Sequence, residues 1–340
     1  MPATPTAASA VPTAAQVLAG HDLTGRTAIV TGASSGVGVE IARALANAGA
    51  AVTLAVRDQA AGAEVAASIA ATAASRPAVE PIDLLSLASV RAFVTRWGDR
   101  PLNLLVNNAG LMGPPLTRTP DGFESQMAVN YFAPFLLSEL LLPNLMAAAP
   151  ARVVIVSSGS HQLAQLRLDD LNYERRDYEK MEAYGHAKLC ANLLAVEYSR
   201  RHRDQGVTMN AATPGGVATN LGRHVTFEDA VRLGWVNADG SLPMGTMKTA
   251  AEGAASPIWA AVAPELEGVG GRYVEDCAIA PVWTPDLPRG WGVGAASLDP
   301  EDAARLWTIA EPMIAACPPD RGAAVPHDSD KDPIEEGCRL

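Results

Sequence analysis

The chain has 340 residues, 48% hydrophobic and 19% charged, with a formal net charge of −11; this describes a soluble globular protein with apolar area for a large core. The acidity argues against nucleic acid, which needs a basic surface. No apolar run reaches the roughly 18 residues of a membrane span, since the longest, 131–146, carries Glu139 and two prolines.

Residues 1–20 are rich in Ala, Pro and Thr, lack the positive start of a secretory signal, and read as a mobile tail. Cytoplasmic residence is the expectation. Residues 318–340 read as a second tail, and 21–317 as one domain. Cys190, Cys277, Cys317 and Cys338 have no CxxC spacing and the histidines no HExxH pattern, so neither a disulfide framework nor a metal site is expected.

Short apolar runs alternate with helical patterns. Strands are expected at 27–30, 51–56, 78–84, 102–106, 152–157, 206–212 and 271–276. Helices are expected from the glycine loop to about Ala48, from about Asp58, from about Ser86, over 122–148, and around 183–201. Nearly continuous apolar strands between helices predict an α/β fold: a Rossmann-type, doubly wound parallel sheet of about seven strands, helices on both faces.

"TGASSGVG" puts Gly32, Gly36 and Gly38 directly after the first strand and at a helix start. Gly32 suits a tight turn, Gly36 a close approach of backbone to a pyrophosphate, and Gly38 close helix–sheet packing. Ser34, Ser35 and Val37 fall on the same cradle, over a helix N-terminus that favours phosphate. Arg57 follows the second strand, where an arginine suits a ribose 2′-phosphate and an acid a 2′-hydroxyl. Asp58 is the next residue, so NADP(H) is favoured and NAD(H) stays open.

Tyr184 and Lys188 stand four apart on a helix and share a face. The chain has only four lysines against twenty-two arginines, which makes Lys188 conspicuous. A nearby ammonium is expected to lower the phenol by on the order of two pKa units, towards general acid–base use. Ser158 ends the fifth strand, where its hydroxyl could hold a substrate carbonyl. Asn130 falls inside the long helix, where asparagine has poor propensity or is a simple packing polar, and "NNAG" at 107–110 and "TPGGVATNL" at 213–221 follow strand ends.

These motifs, in this order over about residues 22–316, resemble the short-chain dehydrogenase/reductase family. The long stretch between Ser158 and Tyr184 is similar to its retinol-dehydrogenase-like and protochlorophyllide-reductase-like branch. The resemblance implies that Tyr184 is the catalytic acid/base, that Lys188 holds the nicotinamide ribose, and that Ser158 orients the carbonyl. It implies that Asn130 supports a proton-relay water. Asp83 and Leu84 would lie at adenine; Asn108, Ala109 and Gly110 would line the adenosine side. Pro214, Gly215, Val217 and Thr219 would form the nicotinamide loop, with Thr219 on the carboxamide. Homodimers or homotetramers are common among such proteins.

Residues 220–247 mix Leu, Val, Phe, Trp and Met and occupy the position of a substrate lid, or pack on the core. A lid of that kind suits a lipophilic or aromatic alcohol, ketone or aldehyde as the small-molecule substrate. His161 and His224 could touch substrate, but read rather as surface or second-layer residues. Reduction of an activated C=C bond, and a dinucleotide-sensing protein without turnover, are the alternatives. The stretch from Val282 onwards has no role that the sequence assigns.

Overall fold

The computed structural model describes residues 11–242, 247–288 and 290–316. Its strands are β1 (Thr27–Thr31), β2 (Ala51–Val56), β3 (Ala78–Pro81), β4 (Leu104–Asn107), β5 (Ala151–Val156), β6 (Val207–Ala212), β7 (Tyr273–Glu275) and β8 (Ala278–Ile279). They form one sheet in the order β3-β2-β1-β4-β5-β6-β7-β8. The first seven run parallel, and β8 returns antiparallel along β7. The expected doubly wound sheet is therefore present, with one short edge strand added.

The helices are α1 (Ala14–Val17), α2 (Gly36–Asn47), α3 (Gln59–Ala70), α4 (Leu87–Trp97), α5 (Ser125–Met127), α6 (Ala133–Leu140), α7 (Leu142–Ala147), α8 (Lys180–His202), α9 (Phe227–Arg232), α10 (Ala250–Gly253), α11 (Ala255–Val262) and α12 (Pro300–Ala315). Side-chain caps fix several starts: Asp58 accepts from the Ala61 N–H, Ser86 from Ser89, and Asp299 from Glu301 and Asp302. Among the described residues no helix is long and apolar enough to cross a membrane.

Alternation along the strands divides the core between the two faces of the sheet. Ile29, Leu105 and Val153 point into one cluster with α4, α6, α8 and α12. Ala28, Val30, Leu54 and Val154 point into the other with α2 and α11. The parallel strands end at one edge, β1, β2, β4, β5 and β6 at Thr31, Val56, Asn107, Val156 and Ala212. Ligands of open α/β sheets bind at that edge.

Two expectations change. The helix expected over 122–148 is not continuous: a π-helical turn at Ala128–Phe132 lies between α5 and α6, and Leu141 separates α6 from α7. The expected N-terminal tail is partly structured. Thr13 caps α1 with a full capping box, and Ala14 and Leu18 are buried in the core beside α11. Residues 1–10 and the expected tail at 318–340 lie outside the described residues.

Candidate active site

The glycine loop forms the turn from β1 into α2. Gly32 and Gly36 have φ of +65° and +60°, a region that L side chains rarely adopt. A Cβ on Gly38 would stand 2.4 Å from Asn108 Nδ2 and 2.6 Å from the Gly32 carbonyl oxygen, so α2 reaches the sheet only because this residue is glycine. Ser35 is the N-cap of α2 but makes no side-chain cap bond. Without that bond, the N–H groups of the first turn stay available to an anion. Ser34 is half-buried, Ser35 exposed and Val37 half-buried along this cradle.

The loop after β4 is stitched to the end of β1. Asn108 Nδ2 donates to the Thr31 carbonyl at 2.9 Å, and Thr31 Oγ1 accepts from the Asn108 and Ala109 N–H groups at 3.0 and 3.1 Å. Thr31 is a further member of the site, and its mark in the sequence is a hydroxyl residue at a strand end, next to the glycine loop. Asp83 caps its own turn, Oδ1 accepting from the Leu85 N–H at 3.0 Å, and Leu84 beside it is buried. Arg57, at the end of β2, is exposed and has no hydrogen bond or ion pair among the described residues.

On the other side of the edge, Asn130 sits in the π-helical turn, buried. Its Nδ2 donates to the Leu111 carbonyl at 2.8 Å and its Oδ1 accepts from the Leu111 N–H at 3.2 Å. Gly110 lies between Asn130 and Lys188: a Cβ there would be 3.3 Å from Asn130 Oδ1 and 3.8 Å from Lys188 Nζ. Lys188 is buried and donates to the Val156 carbonyl, at the end of β5, at 2.7 Å. Its Nζ is 5.7 Å from the centre of the Tyr184 ring. Tyr184 is buried, with the Ser158 side chain near its hydroxyl. Ser158 Oγ also accepts from the Ser160 N–H at 3.1 Å. Asn130, Ser158, Tyr184 and Lys188 thus meet at one end of the sheet.

The charge expected on that group is not what the fold imposes. Burial pushes the Tyr184 phenol up to about 12, with only the polar Ser158 side chain pulling it down. Burial also pushes Lys188 down to about 7. The expectation of a phenol acidified by its neighbouring ammonium is corrected accordingly. Among the described residues the amine has no carboxylate partner, and desolvation disfavours the very charge that would act on the phenol.

The loop after β6 approaches the glycine cradle. Gly215 has φ +78°, Val217 pairs with Lys248, and Lys248 Nζ reaches Asp276 at 2.5 Å. Thr219 packs near Gly36, its Cγ2 3.3 Å from where a Gly36 Cβ would be. Pro214 is half-buried in the same loop.

Of the expected lid, residues 220–242 lie within the described part and none of them is buried, so this stretch does not pack into the core. Residues 243–246 lie outside the described residues. Charge holds α9 down: Lys180 Nζ meets Asp229 at 2.6 Å and donates to the His224 carbonyl at 2.9 Å, and Arg232 meets Glu179 at 2.9 Å. A cleft of about 510 Å³ lies here, lined by Gly113, Pro115, Tyr178, Glu179, Lys180 and His224. Lys180 is one helical turn before Tyr184, so the cleft opens one turn away from the phenol.

The chain matches the family model for short chain dehydrogenase over residues 26–229. It is 43% identical over 263 residues to a polyprenol dehydrogenase of Mus musculus, covering 74% of this chain and 76% of that protein. It is 39% identical over 274 residues to retinol dehydrogenase 14 of Homo sapiens, covering 74% and 79%. Among solved structures, the Pseudomonas aeruginosa RhlG/NADP active-site complex is 30% identical with a TM-score of 0.56, covering 71% of this chain and 91% of that one. The chain belongs to the short-chain dehydrogenase family, near its retinol dehydrogenases, and is an NAD(P)-dependent oxidoreductase.

Proposed function

We propose that the protein moves hydride reversibly between NADP(H) and a lipophilic alcohol or the matching aldehyde or ketone, with Tyr184 as the general acid and base. The observation that carries this reading is that buried Tyr184 and Lys188 stand together with Ser158 on the sheet edge that also bears the glycine cradle. Two relatives are named for polyprenol and retinol, both lipophilic alcohols. The apolar members of the expected lid, Phe227, Trp235 and Leu242, are exposed and suit such a substrate.

The residues present fit a phosphorylated dinucleotide. The α2 N-terminus and the glycine loop would take the pyrophosphate, and unpaired Arg57 the 2′-phosphate. Asp83 and Leu84 flank the adenine position, Asn108 to Gly110 the adenosine side, and Pro214 to Thr219 the nicotinamide side. When bound, the nicotinamide supplies or accepts the hydride, and its oxidised ring adds a positive charge that favours phenolate.

In carbonyl reduction, Tyr184 gives its proton to the carbonyl oxygen, and in oxidation the phenolate takes the alcohol proton. Ser158 holds that oxygen through its hydroxyl. Lys188, pinned to Val156, keeps further donors for ribose hydroxyls. Asn130 maintains the π-helical turn opposite Lys188.

Tyr184→Phe tests the assignment with NADPH oxidation by retinal and decanal. Turnover is expected to vanish while NADPH binding, read by nucleotide fluorescence, stays within about twofold. Retained turnover refutes it.

A further inference from the structure

The chain beyond β8 crosses back over the segment that carries Ser158. Val282 pairs with Val293, Trp283 N–H donates to the Val293 carbonyl, and Gly292 N–H is held by Glu275 at 2.7 Å. Gln162 Nε2 donates to the Trp291 and Gly292 carbonyls at 2.9 and 3.1 Å, and its Oε1 accepts from the Gly290 N–H. A Cβ on Gly159 would stand 2.4 Å from the Gly290 carbonyl oxygen, so the two backbones are in direct contact. Beyond this strap, α12 packs on α8, the helix of Tyr184.

One side chain joins the strap to the serine itself. His161 is buried, with Nε2 2.9 Å from the Gly294 N–H and Nδ1 2.7 Å from the Ser158 carbonyl oxygen. An amide N–H can only donate, so Nε2 accepts and the single ring proton sits on Nδ1, donated to Ser158. The ring lies 5.0 Å from that of Tyr273 in β7, which fixes its tilt.

We propose that His161 is a positioning residue: anchored by the strap at Gly294, it holds the Ser158 backbone so that the serine hydroxyl is aimed at Tyr184 and the substrate oxygen. Burial lowers the imidazole to about 4, so the neutral form with one Nδ1–H persists at working pH. The inference rests on the reading of Ser158 as the group that orients the carbonyl. It gives the strap a place in the reaction: it braces the active site from behind.

The test uses the full chain with NADPH and the faster of retinal and decanal. His161→Phe keeps the ring volume and removes both bonds. It is expected to lower kcat about 10- to 100-fold, with the KM for NADPH within about twofold. His161→Asn, which retains a donor near the Ser158 carbonyl, is expected to recover most of that loss. In a Ser158→Ala background, His161→Phe is expected to cost less than about twofold more, because its effect passes through the serine. In the unmodified protein, NMR of isotope-labelled histidine, assigned through the loss of its signal in His161→Phe, is expected to show the His161 ring non-titrating and protonated at Nδ1.

Should His161→Phe fail to fold, His161→Gln keeps an acceptor for Gly294, gives up the donor to Ser158, and serves the same comparison. A kcat equal to wild type, or a full loss that persists in the Ser158→Ala background, overturns the inference. If Ser158→Ala lowers kcat and the His161 variants do not, the inference falls while the reading of Ser158 stands. If Ser158→Ala changes nothing, both fall.

Discussion

Asn130 and Leu111 exchange two hydrogen bonds, the side-chain amide satisfying both the N–H and the carbonyl of one loop residue. This pairing fastens the π-helical turn to the loop that follows β4. Asn130→Ala leaves both Leu111 groups unpaired, at about 1–3 kcal/mol each. The expected loss in unfolding free energy is about 2–4 kcal/mol, read by urea titration. Asn130→Asp keeps the acceptor and is expected to fall between that variant and wild type.

Lys188 places function against stability. Burial lowers it from 10.5 to about 7 in the folded chain, so between those values the unfolded state binds the extra proton. Stability therefore rises as pH climbs from about 7 towards 10.5, and the penalty of the buried charge is felt in full below about 7. Lys188→Met removes the ionisable group at similar volume. Its expected effect at pH 6 is a gain of about 1–3 kcal/mol together with loss of turnover. Denaturant midpoints across pH 6–10 check this: that rise with pH should be smaller in the variant.

Arg57 is the free cation at the end of β2. In the proposed cofactor site, charge-assisted bonds to a 2′-phosphate would be worth about 1.5–3 kcal/mol, so Arg57→Ala is expected to raise the KM for NADPH about 10- to 100-fold and leave that for NADH nearly unchanged. Parallel kinetics with the two cofactors decide it. An unchanged preference would return Arg57 to the role of a solvated residue before α3.

Gly38→Ala would force a methyl group into the Asn108 amide and the Gly32 carbonyl. Overpacking at about 1–3 kcal/mol exceeds the helix-propensity gain of about 1 kcal/mol. A net destabilisation, with NADPH affinity at least about tenfold weaker, is expected from urea and fluorescence titrations. The affinity loss follows because Asn108 also positions the loop after β4.

Much of this architecture is written locally in the chain. The strands are legible because both sheet faces are covered, which leaves apolar runs such as Ala51–Val56 bounded by turns. The cradle and the Tyr184–Lys188 pair are legible because backbone freedom and helical spacing are properties of neighbours in sequence. The π-helical turn is not, since it depends on Asn130 meeting Leu111, nineteen residues away. The direction of the Tyr184 shift is not legible either, because the burial of Lys188 is set by the whole sheet edge rather than by helical spacing. His161 reads as an ordinary second-layer histidine until Gly294, 133 residues later, comes back to meet it.

The capped turn near the chain's start carries a practical message for anyone trimming it. Thr13 fixes the turn, and Ala14 and Leu18 plug the gap beside α11. Shortened versions beginning at residue 21 would expose that seam to water, whereas a cut placed ahead of Thr13 leaves the plug in place.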